Sequence, residues 1–85
     1  MLSLLAKTEK AVGVKQSLRA LREGRVIAVF LAEDAEERLT DPVRTLAEEQ
    51  SLPIQEVPTM HRLGQACGIK VGAAVAVLLK SDLPE

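Results

Sequence analysis

The sequence predicts an α/β sandwich with helices on both faces of a mostly parallel sheet. Two continuous apolar runs, VIAVFLA at 26–32 and GAAVAVLL at 72–79, read as strands buried on both sides. The segments that precede and separate them repeat their apolar residues at helical spacing, and strands alternating with helices are the pattern of a layered α/β domain.

In chain order, AVG at 11–13 is a short strand. KQSLRALREG, 15–24, is a helix with Leu18 and Leu21 facing inward and Gly24 ending it. VIAVFLA follows, bounded by Gly24 and by Glu33-Asp34. In TDPVRTLAEEQ, Asp41 is a good N-cap, Pro42 takes the first helical position, and Val43, Leu46 and Ala47 supply an apolar face. PIQEV at 53–57 alternates apolar and polar residues and begins with proline, as an edge strand does. In TMHRLGQACG, Thr59 caps a helix, Met60, Leu63 and Cys67 recur on one side, and Gly68 ends it. The last run closes the pattern, with small alanines where neighbours pack close.

A chain of 85 residues with no shift of composition reads as one domain, 1–85. Hydrophobic residues at 47% against 27% charged are enough for a core and exclude intrinsic disorder. No apolar run reaches the roughly 20 residues that span a bilayer, and the opening MLSLLAKTEK does not read as a secretory signal, so no membrane partner and a cytoplasmic location are expected. A single cysteine, Cys67, and a single histidine, His61, provide no disulfide and no local metal-ligand pattern; no cofactor is expected. Phe30 is the sole aromatic residue and lies inside a buried strand, which excludes stacking successive bases on aromatic rings.

Charge is distributed unevenly behind a net −1. Residues 1–26 balance at +4, residues 27–56 at −6, and the remainder at +1. A basic end suits an anionic partner. Lys15, Arg19 and Arg22 fall in one stripe opposite Leu18 and Leu21, directly behind Gly13, which leaves room at the helix's unpaired amides. Lys15 and Arg19 can donate to guanine O6 and N7, Gln16 can donate to and accept from a base edge, and Ser17 adds a hydroxyl. From these residues alone two readings stand: a nucleic-acid surface, or the solvated face that such a stripe more commonly is. Farther on, Gly68 and Gly72 bracket Ile69, Lys70 and Val71. That loop is unusually apolar, so its two branched side chains either fold back onto the core or form a platform for an unstacked base.

GVKQSLR, followed about fifty residues later by LGQACGIKVGAAVAVLL, resembles the kink-turn RNA-binding ribosomal protein family that includes the archaeal large-subunit protein seven, and within it the short bacterial, YbxF-like branch. The resemblance runs over roughly 10–79 and takes in REGRVIAVFLAEDAEERLT. It implies a three-layer α/β/α sandwich with a four-stranded mixed sheet, and a non-enzymatic protein that binds kink-turns, where tandem sheared G·A pairs sit beside a sharp bend. The signature helix maps onto Gly13, Val14, Lys15, Gln16 and Arg19 and is expected in the widened groove. Ile69, Lys70, Val71, Gly72 and Ala73 map onto the loop that covers the bulged nucleotides; Glu36 and Met60 match positions beside flipped bases. Lys15-Gln16 stands where archaeal and eukaryotic members commonly have Asn-Glu, a feature shared with the bacterial branch, and it alters the detailed hydrogen bonds. The implied partner is structured RNA, ribosomal RNA or a riboswitch among the candidates, bound by a monomer in the cytoplasm or on ribosomes.

The other readings are weaker. Cys67 as a nucleophile has only His61 as base and sits on the apolar side of its helix, so a buried inert thiol is expected; His61 itself is expected at the surface. AEDAEE, 32–37, lacks the spaced ligands and glycine of a calcium loop and reads as a solvated acidic turn. Gly64, which costs a helix about 1 kcal/mol relative to alanine, marks either close packing against the sheet or approach to RNA. A protein-interaction module docking through 69–73 is the alternative function, and a small enzyme with its cleft at the strand ends is a third.

Overall fold

Seven elements follow one another in the computed structural model, which describes residues 4, 5 and 8–80: β1 (Lys10–Val12), α1 (Val14–Arg22), β2 (Val26–Ala32), α2 (Glu37–Glu49), β3 (Ile54–Val57), α3 (Met60–Cys67) and β4 (Val75–Leu79). The strands form a single sheet in the order β1-β4-β2-β3. β4 runs antiparallel to both β1 and β2, and only β2 and β3 pair in parallel.

The expected mostly parallel sheet is therefore corrected to a mixed one, as the family resemblance implies. An uninterrupted apolar strand reports burial on two faces rather than the direction of its neighbours. β4 is buried at every position because it lies in the middle of the sheet with helices on both sides. Its side chains alternate between two cores. Ala76 and Leu78 join Ala28, Phe30 and Ala32 beneath Leu63 and Cys67 of α3. Val75, Val77 and Leu79 join Val29 and Leu31 beneath Ala20 and Leu21 of α1 and Val43 and Ala47 of α2. Three layers result, α1 and α2 on one face and α3 on the other.

Several local expectations change. β2 is not buried throughout: Val26 pairs with Leu79 and Ala28 with Leu78, so Ile27 is an extra residue in a bulge and is 45% exposed. α2 starts a turn before Asp41, with Glu36 as N-cap, and Pro42 lies inside it. Proline's fixed φ suits a helix, and the Arg38 carbonyl that its missing N–H would have bonded belongs to a solvent-exposed stretch where water can serve it. On α1 the buried face is Ser17, Ala20 and Leu21, with Leu18 only half-buried at its margin. β1 is Lys10–Val12, with Gly13 serving as the N-cap of α1, and β4 starts at Val75 instead of Gly72, because 72–74 remain in the loop before it. At the other ends the local signals hold. The Thr59 hydroxyl accepts from the Arg62 amide at 3.1 Å, Gly68 closes α3 in the left-handed region, and β3 is an edge strand. No described helix is long and apolar enough to cross a membrane.

Gly64 packs against neither the sheet nor open solvent. A Cβ there would overlap the Val71 carbonyl oxygen and come within 3.0 Å of its carbon, so α3 rests directly on the backbone of the 69–74 loop. Helix propensity alone predicts that Gly64→Ala stabilises by about 1 kcal/mol. Backbone overlap reverses the sign, and we expect a destabilisation of about 1–3 kcal/mol, measured as a lower denaturant midpoint.

Candidate nucleic-acid interface

β1, β2 and β3 all run in one direction and β4 runs against them. The carboxyl ends of three strands and the amino end of β4 consequently share one rim of the sheet, and backbone hydrogen bonds fix the segments there. The Gly13 N–H donates to the Val75 carbonyl at 2.8 Å, holding the start of α1 beside the start of β4. On the other side the Ala32 N–H donates to Ala74 at 2.9 Å, and the Glu33 N–H donates to Val57 at 2.8 Å. The start of α1, the acidic turn after β2, the start of α3 and the 69–74 loop thus converge.

α1 begins without a side-chain cap and without an acidic residue in its first turn; Lys15 stands there instead. A cation at the positive end of a helix dipole is unfavourable, and the first amides have no intrahelical partner, so this end of the helix is suited to an anion or an acceptor from outside. Gly13 is needed for its φ of +97°; a Cβ there would meet nothing within 4 Å. Lys15, Gln16, Arg19 and Arg22 are all exposed and, with Glu23, line a shallow depression of about 370 Å³. Ser17 does not belong to this surface. It is fully buried and its hydroxyl has no hydrogen-bond partner, which removes it from the groups available to a ligand.

The loop divides its two branched residues between the alternatives that the sequence leaves open. Ile69 is half-buried and packs against the core under α3, whereas Val71 is 70% exposed. Lys70 and Gly72 are exposed, and Ala73 is buried. The Ala73 N–H donates to the Met60 carbonyl at 3.0 Å, and Gly72 lies so close to Met60 that a Cβ would stand 3.1 Å from Met60 Cβ. Met60 is therefore half-buried between core and loop, while Glu36 sits across the rim, exposed, its carboxylate gripped by Arg38 at 2.7 Å. Gly13, Val14, Lys15, Gln16, Glu36, Met60 and residues 69–73 occupy or flank one rim; Arg19 lies one turn further along α1.

Two residues with a part in this geometry escape a reading of the sequence. Asp34 accepts the Met60 N–H at 2.8 Å through its carboxylate and ties the acidic turn to the start of α3, a 26-residue separation that no local spacing signals. Glu23 faces Arg19 at 3.6 Å and Arg25 at 3.2 Å. Other charges are spoken for elsewhere: Arg44 forks onto Glu56 at 2.7 and 3.2 Å, and those hydrogen bonds hold its guanidinium above the ordinary value against a smaller opposing effect of burial. Burial pushes the Cys67 thiol up, with Lys10 pulling the other way, so it resists ionisation and its nucleophilic role has no support.

Known proteins share both the sequence and the fold. The chain is 42% identical over 69 residues to RNA-binding protein YbxF of Geobacillus stearothermophilus, covering 81% of this chain and 84% of that one. It is 40% identical over 77 residues to an RNA-binding protein of Geobacillus sp. (strain WCH70), covering 91% and 94%. Among solved structures, a Giardia lamblia 15.5kD RNA binding protein superposes with a TM-score of 0.78 at 24% identity, over 95% of this chain and 72% of that one. A protein of unknown function from Bacillus halodurans reaches 0.82 at 24% identity, over 94% and 84%. These likenesses accord with the sequence model of one family, which matches residues 2–83, and the chain belongs to that family, the ribosomal protein L7Ae/L30e/S12e/Gadd45 family.

Proposed function

We propose that this protein is a non-enzymatic RNA-binding module that recognises kink-turns, as a monomer in the cytoplasm, with ribosomal RNA or a riboswitch as its target. The observation that carries this reading is the convergence of the uncapped, Lys15-bearing start of α1 and the 69–74 loop, joined through the Gly13–Val75 hydrogen bond. A bent RNA presents both parts of a matching ligand within one compact footprint. Guanine edges in the widened groove meet Lys15 and Gln16, whose donors suit O6 and N7. The phosphates beside them meet the amide end of α1 and Arg19. Nucleotides out of the stack lie against Val71, with Met60 and the Glu36 carboxylate bordering them. The names of the relatives, RNA-binding proteins at 40–42% identity, support the class of partner.

An apolar docking loop for another protein has less to work with. Of the two branched side chains only Val71 is free, and a single exposed valine is far below the contiguous apolar patch that marks a protein interface. The decisive experiment is a titration of labelled kink-turn RNA against a straight duplex of equal length. Preferential binding of the kink-turn is expected; equal binding would overturn the reading.

Lys15→Ala is expected to weaken kink-turn binding by about 1–3 kcal/mol, while Arg44→Ala, on the acidic side and engaged with Glu56, leaves the affinity unchanged; calorimetric titration of both variants compares the two. Val71→Asp places a charge on an already exposed position, so the thermal transition should stay close to wild type while RNA affinity falls at least several-fold.

A further inference from the structure

Beside α1, on the side facing β1, lies a groove of about 380 Å³ that the reading above does not use. It shares Gln16, Arg19 and Glu23 with the depression of the proposed RNA surface and continues away from it to Arg25 and β1. Its other wall is β1, the edge strand: no described strand lies beyond it. The Glu9 carbonyl accepts from Leu79 and the Gly13 N–H donates to Val75, so the odd-numbered residues turn their backbone groups toward β4. Alternation in an antiparallel ladder then points the N–H and C=O groups of Lys10 and Val12 outward, away from β4, along the sheet edge that borders the groove.

Two guanidinium groups converge on one anion in this groove. Glu23 is 3.6 Å from Arg19 Nε through one carboxylate oxygen and 3.2 Å from an Arg25 terminal nitrogen through the other. All three side chains are at least two-fifths exposed, so these pairs contribute little to stability and a competing anion can take the place of the carboxylate. From Gln16 to Glu23 the helix advances about 10 Å, the reach of a few consecutive nucleotides along one strand. The outward backbone donors of β1, unpaired among the described residues, suit phosphate oxygens, and the neighbouring carbonyls suit ribose 2′-hydroxyls.

We propose that this groove is a second RNA contact, a track for the phosphodiester backbone of the stem leaving the kink, in which Arg19 and Arg25 hold a phosphate where Glu23 stands in the free protein. The proposal rests on the kink-turn reading and extends the footprint from the bend to a helical arm. Glu23 acts as an internal competitor: it keeps the two arginines ordered and lowers the affinity of the groove for unrelated polyanions.

The test uses the full chain and three kink-turn RNAs, one with both stems long and two in which one stem or the other is cut to the base pairs next to the bend. With the long RNA, Arg25→Ala is expected to weaken binding about 3- to 10-fold at low salt and to reduce the slope of log affinity against log salt by about one phosphate contact. Glu23→Gln is expected to strengthen binding by a similar factor. Both effects should disappear when the stem that enters the groove is removed. If neither variant changes affinity or slope while Lys15→Ala still weakens binding, the groove proposal is overturned and the kink-turn reading stands. Effects that persist with every shortened stem would overturn it equally, as unspecific charge. Loss of any preference for kinked over straight RNA would bring down both.

Discussion

The placement of β4, antiparallel and between β1 and β2, is the constraint on which the rim depends. The loop before β4 follows α3 on one face of the sheet, whereas α1 covers the other face. Only because β4 enters at the end where β1 leaves do the two come together, Gly13 and Val75 being joined directly. A parallel β4 would deliver the loop to the opposite end, some five strand residues and about 17 Å away. The same placement buries β4 completely, so the strand that organises the site is also the centre of both cores. Disturbing its register would move every apolar side chain to the wrong face, which makes the geometry of the rim as robust as the fold itself.

The loop is built as a rigid mount rather than a flexible arm. Ile69 anchors one end in the core, the Ala73 amide is bonded to Met60, and Gly64 lets the backbone of Val71 lie directly on α3. These contacts leave a single apolar side chain raised into solvent. Exposing one valine costs little, since most protein surface is apolar in any case. Holding it in place before a ligand arrives spares the ordering entropy that a mobile loop would lose on binding. Thr59 and Asp34 serve the same end by satisfying the first amides of α3, so that Met60, at the head of the helix, has a fixed position.

Much of this was legible in the sequence, and the exceptions have physical reasons. Local signals stood clear of competing effects at Thr59, Gly68 and Gly24, where cap and stop chemistry depends on the residue itself. The two apolar runs located β2 and β4, and the paired motifs GVKQSLR and GIKVGAAVAVLL pointed to the family. Strand direction was not legible, because hydrophobicity records how much of a strand is buried and not which way its neighbour runs. The start of α2 was misplaced because Asp41-Pro42 forms a good start signal that the helix simply runs through. Ser17 and Leu18 differ by 100° around α1, and polarity favours the wrong one for burial; the crowding against the sheet, visible only in three dimensions, decides it. Asp34 and Glu23 were missed for a related reason. Their partners lie across a turn or on another element, and neither makes a motif.

A protein of net charge −1 can face a polyanion because sheet order converts a pattern along the chain into a pattern in space. The basic segment forms β1 and α1 and ends at Arg25, while the acidic segment ends in β3. β1 and β3 are the two edges of the sheet, with β4 and β2 between them. At the β3 edge Glu33, Glu37, Asp41 and Glu56 gather around Arg44, their one described cationic neighbour in that hollow. Screening over roughly 8–10 Å at physiological salt makes each edge largely blind to the other, so the local sign and not the sum governs what approaches. On the proposed reading, the negative edge repels RNA that arrives on the wrong side and so favours the orientation in which a polynucleotide meets α1 and the loop together.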